Sequence, residues 1–197
     1  MTDSFKEIEI KMQLDETSMK KLTDWLEINA KDLGADSYTD YYLDNPDATF
    51  FYMAKGGVKD ILQFIRIRFQ KGKNIVCYKN RHITETGKTL YCDEYETGID
   101  DGKIMMKIFN SLGYTDQTVL KKKRHTYEAG DFDIVIDDVE DLGMFVEVEL
   151  KNQEKDGVKE IYNLLKQIGI TKLKQFDRGY ICMKVNPDID LGEEVSL

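Results

Sequence analysis

The chain has 197 residues, of which 41% are hydrophobic and 33% are charged, and its formal net charge is −9. This composition is typical of a globular protein with a sizeable core, and we expect one domain over residues 1–186 followed by a loose acidic tail over 187–197. The negative charge argues against nucleic acid or an anionic membrane as a partner, since both select basic surfaces. The net charge does not exclude a small anion that is bound by a local basic cluster.

The cysteines and the N-terminus indicate the compartment. Cys77, Cys92 and Cys182 are widely spaced and form no C-x-x-C motif, so we expect three free thiols in a reducing environment. The N-terminal residues show no secretion signal, and no apolar run approaches the length that spans a membrane. We therefore expect a cytoplasmic protein.

Alternating polar and apolar residues predict a chain rich in strands. The predicted strands cover residues 5–14, 38–44, 60–70, 74–81, 89–97, 118–128, 131–138 and 144–151, with a short additional strand near 49–53. They are too many and too closely spaced for a βαβ architecture, and they predict an α+β fold with a large antiparallel sheet, curled or closed.

Three stretches have the apolar spacing of helices, and we expect these helices outside the sheet. Each apolar face ends at a glycine: Met19, Leu22, Leu26 and Leu33 before Gly34; Ile104, Ile108 and Leu112 before Gly113; Val158, Ile161, Leu165 and Ile168 before Gly169.

The charged residues of the strands are sorted by sign. Residues two apart on a strand share a face, so Glu7, Glu9 and Lys11 line one side of the first strand while Ile8 and Ile10 line the other. The same spacing produces acidic pairs on some later strands and basic pairs on others. Two interpretations stay open: a solvated sheet face, or a closed barrel whose polar bore binds a polyanion through basic residues and a divalent cation through carboxylates.

A carboxylate-only site suits Mg²⁺ or Mn²⁺ better than zinc, because hard cations take oxygen ligands. The two histidines, His82 and His125, have no Cys/His partner at the spacing of a zinc site.

The order of these segments resembles the CYTH superfamily, the triphosphate tunnel metalloenzymes, which comprise class IV adenylate cyclases, thiamine triphosphatases and inorganic triphosphatases. The resemblance covers about residues 5 to 180. It rests on Glu7-x-Glu9-x-Lys11, Tyr41-Tyr42-Leu43-Asp44, Arg66-x-Arg68, Lys79, Glu94-x-Glu96, Leu112-Gly113-Tyr114, Lys122-x-Arg124-x-x-Tyr127, Asp137-Asp138-Val139 and Leu142-Gly143-x-Phe145-Val146-Glu147-Val148-Glu149.

The resemblance implies a closed, eight-stranded antiparallel barrel open as a tunnel, with helices packed outside, and it implies a role for each matching residue. The phosphate-binding residues would be Lys11, Arg66, Arg68, Lys79, Lys122 and Arg124. The ligands of Mg²⁺ or Mn²⁺ would be Glu7, Glu9, Asp137, Glu147 and Glu149, with Glu94 and Glu96 as further tunnel acids. Lys11, Glu9 and Glu147 would be catalytic.

The implied function is a metal-dependent enzyme acting on tripolyphosphate, ATP or thiamine triphosphate. We favour hydrolysis of the terminal phosphate, with a class IV-type adenylate cyclase that forms cyclic AMP and pyrophosphate as the alternative. A non-catalytic module that binds nucleotide or polyphosphate has the same basic residues, and a solvated sheet acting as an interaction domain is a further alternative. The sequence leaves the formation of a homodimer undecided.

Overall fold

The computed structural model describes residues 8–84, 89–151 and 156–197, with the backbone alone at 89–91, 116 and 117. These residues form twelve strands and four α-helices. In chain order they are β1 (Glu9–Gln13), α1 (Glu16–Asn29), β2 (Lys31–Asp44), β3 (Phe51–Met53), β4 (Lys59–Ile61), β5 (Gln63–Gln70), β6 (Lys73–Ile83), β7 (Thr89–Ile99), α2 (Gly102–Ser111), β8 (Thr115–Ala129), β9 (Phe132–Val139), β10 (Gly143–Leu150), α3 (Gly157–Ile168), β11 (Lys172–Phe176), α4 (Tyr180–Lys184) and β12 (Glu193–Ser196).

The fold is α+β with a large antiparallel sheet, as the strand pattern predicts, but the prediction of a closed eight-stranded barrel is wrong. Within the described residues, ten strands hydrogen-bond in the order β12-β11-β1-β10-β9-β8-β2-β5-β6-β7, and β3 pairs with β4 alone. The physical reason is at β1, whose second edge pairs with β11. That pairing extends the sheet outward to β12, so β12 and β7 stay at its two ends.

The C-terminal segment contributes to this extension. Residues 193–196, which we expected within a loose tail, form β12 and pair with β11. The alternation in this segment is short and acidic, so the sequence carries little signal for a strand.

The described residues divide into two compact units. The first unit contains residues 37–122 and 178–190, and the second contains residues 8–36, 123–177 and 191–197. Each unit combines segments that are distant in the sequence.

The second unit has its hydrophobic core on one face of β1, β10 and β9. Ile10 and Met12 of β1 pack there with Val146 and Val148 of β10, and all four are at most 2% exposed. Helices α1 and α3 cover this face with fully buried residues such as Leu22 and Leu165. Each such side chain stabilises the fold by about 1.5–3 kcal/mol.

The ends of the two helices in this core follow from local chemistry. The carboxylate of Asp15 accepts a hydrogen bond from the backbone N–H of Ser18 and caps the start of α1. Gly169 ends α3 with φ +88°, as predicted, because this left-handed conformation favours glycine. The predicted end of the first helix at Gly34 is wrong: α1 stops at Asn29, and Leu33 lies in β2 with half of its surface exposed.

The first unit places α2 against β5 and β6. Gly102 begins this helix beside the Phe69 ring, where a Cβ atom would approach a ring carbon to 2.7 Å. The apolar face that we predicted for α2 is about half exposed at Ile104, Ile108 and Leu112. Phe109 makes an aromatic contact with Tyr114 instead, so the helix is rotated relative to the predicted face.

Candidate functional site

The predicted acids and bases of the second unit lie on the face opposite its core. Lys11 of β1 faces Glu147 of β10 in the strand register, and Glu9 faces Glu149. On the other side of β10, Asp137 of β9 faces Phe145. Because side chains two apart point the same way, these five residues share one face of the sheet.

Three of these side chains, Lys11, Asp137 and Glu147, form a buried network with Arg124 of β8. Arg124 Nε and Nη2 donate to the two carboxylate oxygens of Asp137 at 2.7 and 2.6 Å, and Nη2 also donates to Glu147 at 2.5 Å. Lys11 Nζ lies 3.1 Å from Glu147 and 4.0 Å from Glu9. Asp137 is fully buried, and Lys11 and Glu147 are each 8% exposed. Buried ions are tolerated when opposite charges pair with good geometry, as they do here.

The network becomes more accessible towards Glu9, whose side chain is 42% exposed. Glu149 is half-buried beside it. Further along this face, Lys151 bridges Glu128 and Asp133 near the surface, at 2.5 and 3.0 Å. Carboxylates at the edge of a buried network can exchange a protein partner for a ligand more easily than fully buried ones.

In the first unit, each predicted arginine shares a sheet face with a carboxylate of another strand. Arg68 of β5 is opposite Asp40 of β2, and its Nε and Nη2 donate to the two Asp40 oxygens at 2.7 Å each. Arg66 is opposite Cys77 of β6, and Cys77 is in turn opposite Glu96 of β7. This register brings the basic pair and the middle acidic pair to one face.

The acidic pair of β7 neutralises two of the predicted cations. Lys79 Nζ lies 3.1 Å from Glu94, and Arg66 Nη2 lies 3.4 Å from Glu96 and 3.8 Å from Glu94. Burial opposes ionisation of Glu94, but the ammonium of Lys79 and the other facing donors outweigh it and hold the pKa of Glu94 below its ordinary value. Glu94 is therefore an ionised partner of these cations at neutral pH.

Lys122, the remaining predicted cation, belongs to the first unit and is 6% exposed. Its ammonium lies over the rings of Tyr38 and Tyr180. Glu7, the first predicted metal ligand, lies outside the described residues.

Sequence reasoning missed several residues that hold this site together. Asp40 contacts the predicted cation Arg68 and Cys77 contacts the predicted acid Glu94, but neither belongs to a pair of like charges two residues apart in the sequence. Asp60, which is 2% exposed, binds Arg81 at 2.7 Å and Arg178 at 2.9 Å. The sequence carries little signal for them: Asp40 shares a strand face with Tyr38 and Tyr42, and only its burial in the structure shows that it needs a cationic partner.

The donor chemistry of the second unit fits a hard divalent cation. Glu9, Asp137, Glu147 and Glu149 supply only oxygen ligands, which Mg²⁺ and Mn²⁺ prefer. They outnumber the two predicted cations of this unit, Lys11 and Arg124, by two charges. One divalent ion would balance that excess.

A different group of three has converging ligand atoms. In the part of the chain that the structure describes, one such group was found: Cys77, Glu94 and Glu96, with one ligand atom each within 4.8 Å of the others. Cys77 is a soft ligand, and burial raises the pKa of its thiol to about 12, so it stays protonated and donates to Glu94 at 3.2 Å. This group therefore does not match the preferences of Mg²⁺ or Mn²⁺.

Comparison with known proteins identifies the family. Residues 6–180 match the model of the CYTH domain. The chain therefore belongs to the CYTH domain family, whose members are adenylate cyclase-like or triphosphatase enzymes that bind triphosphate substrates. The resemblance in the charged strands is thus confirmed at the level of the family.

Individual relatives share most of their length with this chain. A protein of Methanocaldococcus jannaschii, described as a candidate adenylate cyclase, is 28% identical over 179 residues, which cover 89% of this chain and 96% of the relative. A solved structure from Pyrococcus horikoshii has a TM-score of 0.68 at 24% identity and covers 92% and 99% of the two chains. A Hippeastrum protein, described as a candidate adenylyl cyclase with a dominant triphosphatase activity, has a TM-score of 0.69 at 19% identity and covers 93% and 97%.

Among the residues that the structure describes, no helix is both long and apolar enough to cross a membrane.

Proposed function

We propose that this protein is a divalent-metal-dependent enzyme that hydrolyses the terminal phosphate of a triphosphate. The observation that carries the proposal is the paired charge on the sheet face of the second unit, where Lys11, Arg124, Asp137 and Glu147 form a buried network opposite the hydrophobic core. Packing alone does not favour such a network, because well-packed apolar residues stabilise a fold as well or better.

The cations are suited to bind phosphate oxygens. Carboxylates hold Arg66, Arg68 and Lys79 by 2.7–3.8 Å contacts, which fix the positions of their charged groups. Arginine offers a planar pair of donors and lysine a compact charge, and both bind phosphate. In the first unit these three residues and Lys122 outnumber Asp40, Glu94 and Glu96 by one positive charge. A phosphate chain is anionic and therefore matches the sign of this excess.

The carboxylates of the second unit would hold the divalent ion. We propose Glu9, Glu147 and Glu149 as its ligands, with Asp137 and Glu7 as further candidates. Among the described residues these carboxylates do not form a converging group, so ion binding would draw their side chains together. When bound, the ion would neutralise phosphate charge and lower the pKa of a water molecule. Lys11 lies 3.1 Å from Glu147 and neutralises part of its charge, which makes Lys11 a candidate both for phosphate binding and for tuning that carboxylate.

We favour hydrolysis over cyclisation because hydrolysis requires fewer binding features from the protein. Cyclisation also requires a base pocket and a fixed ribose, and hydrolysis requires only a positioned water. The dominant triphosphatase activity described for the Hippeastrum protein of the same fold supports this choice. The second candidate, an adenylate cyclase, is supported by the description of the Methanocaldococcus jannaschii relative.

Product analysis separates the candidates. The wild-type protein is incubated with tripolyphosphate, ATP or thiamine triphosphate under Mg²⁺ or Mn²⁺, and the products are separated by chromatography. We expect orthophosphate from at least one of these substrates. Cyclic AMP with pyrophosphate from ATP would establish the cyclase instead.

A matched pair of variants tests the role of the buried carboxylate in turnover, and the wild type tests binding without turnover. Glu147→Gln removes one carboxylate charge from the buried network, and Glu128→Gln removes one from the exposed pair with Lys151. We expect Glu147→Gln to lower orthophosphate release by at least about tenfold while Glu128→Gln retains it. Tight binding of tripolyphosphate by the wild type, with no product from any substrate, would establish a non-catalytic binding module.

A further inference from the structure

Lys122 has an unusual environment for a lysine on a strand. It is 6% exposed, and its ammonium nitrogen lies 5.1 Å from the centroid of the Tyr180 ring and 5.9 Å from that of the Tyr38 ring. The face of an aromatic ring attracts a cation at such distances. We name Tyr38 and Tyr180 the aromatic clamp, because the two rings contact the same ammonium.

Tyr38 also contacts a second predicted phosphate-binding residue. The central carbon of the Arg68 guanidinium lies 4.6 Å from the centroid of the Tyr38 ring. Arg68 is fixed from another side by its two hydrogen bonds to Asp40. The Tyr38 ring therefore contacts two cations and restricts the positions that both can take.

Tyr180 reaches Lys122 from a short helix that is fastened to the first unit at both ends. Before α4, Arg178 Nε donates to Asp60 at 2.9 Å. After α4, the Asn186 side chain accepts from the backbone N–H of Lys59 at 2.9 Å and donates to the Lys59 carbonyl at 2.8 Å. Two adjacent residues of β4 thus hold the segment that carries the Tyr180 ring.

Asp60 is a rigid anchor for this segment. It is 2% exposed, and one oxygen accepts from Arg81 at 2.7 Å and from the backbone N–H of Ile61 at 2.8 Å. The other oxygen accepts from Arg178 and lies 3.3 Å from the hydroxyl of Tyr52. A buried carboxylate with this many donors is ionised and fixed in orientation.

We propose that the aromatic clamp positions the ammonium of Lys122 for a phosphate chain, and that Asp60 keeps the clamp assembled by anchoring α4. The inference rests on the proposed function, because that function gives Lys122 a phosphate oxygen to bind. Tyr38, Tyr180 and Asp60 are positioning residues in this scheme, since they act through Lys122.

The test compares two substitutions of Tyr180 by calorimetry with tripolyphosphate, in the absence of divalent metal so that binding is measured without turnover. Tyr180→Phe keeps the ring, and we expect its dissociation constant to stay within about twofold of the wild type. Tyr180→Leu removes the ring, and we expect binding about tenfold weaker, the size of a partly buried cation–π contact. Equal affinity of the Leu variant and the wild type would overturn the clamp.

A control in the same helix separates positioning from folding. Met183, like Tyr180, is 6% exposed and lies in α4. Met183→Ala is expected to lower the melting temperature and to leave the dissociation constant unchanged. If Tyr180→Leu does not fold, Tyr38→Leu, which alters a half-buried residue of β2, takes its place in the same comparison.

A double-mutant cycle shows whether Tyr180 acts through Lys122. In the Lys122→Met background we expect Tyr180→Leu to add no further loss of affinity. An additional loss of the same size as in the wild-type background would overturn the inference. If Lys122→Met itself binds tripolyphosphate like the wild type, the proposed role of Lys122 in phosphate binding fails. If Lys122→Met weakens binding and Tyr180→Leu does not, the role of Lys122 in phosphate binding stands and the role of the aromatic clamp is rejected.

Discussion

At the scale of the residue, the fully buried carboxylate of Asp137 depends strongly on its counter-charge. Both of its oxygens accept from Arg124, whose guanidinium also contacts Glu147. Removing one member of a buried ion pair leaves the other member without its counter-charge in a poorly solvated position. We therefore expect Asp137→Asn to lower the free energy of unfolding by about 3–5 kcal/mol, measured by urea denaturation.

The comparison for this prediction is Glu128→Gln, which removes a carboxylate from a more exposed pair with Lys151. Water screens such exposed pairs and they contribute little to stability, so this variant should unfold close to the wild type. A similar loss of stability in both variants would mean that burial of Asp137 has no special effect.

At the scale of the element, the start of α3 depends on a glycine. A Cβ atom on Gly157 would lie 2.5 Å from Cγ2 of Ile8, a branched side chain just before β1. We expect Gly157→Ala to destabilise the protein by about 1–3 kcal/mol, because either the helix or the strand must shift. Gly98→Ala is the control, since its Cβ would meet ordinary contacts at 3.7 Å or more, and its melting temperature should match or exceed the wild type. Equal stability of the two variants would contradict a close approach of α3 to Ile8.

The strand elements also show how far the sequence determines the fold. Alternation in Ile65-Arg66-Ile67-Arg68 and Val146-Glu147-Val148-Glu149 predicts both the strands and which residues share a face, and the registers agree. Helix ends were harder: the apolar period continues to Leu33, but β2 begins at Lys31. Pairing of β1 with β11 depends on residues more than 160 positions apart, so no local pattern could exclude a closed barrel.

The residues of the site also divide into those that one strand pattern predicts and those that only the three-dimensional structure brings together. Pairs such as Arg66 and Arg68 are visible because both residues lie on one strand. Asp40, Asp60 and Arg178 became visible only in the structure, since each is a single charge whose partner comes from another strand or segment. Periodicity shows which residues share a face of a strand, and it does not show which residue of another strand or segment each one contacts.

At the scale of the whole molecule, the net charge of −9 coexists with clusters of opposite excess. The predicted cations prevail in the first unit, and the predicted carboxylates prevail in the second. A phosphate chain supplies charge complementary to the first cluster, and a divalent cation supplies charge complementary to the second. The proposed substrate is therefore consistent with an acidic protein, because local charge governs the binding of a small ion.

The initial rate of orthophosphate release from tripolyphosphate, measured against the concentration of Mn²⁺, tests the proposed function most directly. We predict no release in the presence of EDTA, a rate that rises with Mn²⁺ to saturation, and a loss of at least about tenfold in Glu147→Gln. Release that is unaffected by EDTA and by Glu147→Gln would contradict the account, as would the absence of release from a folded wild-type protein at every metal concentration.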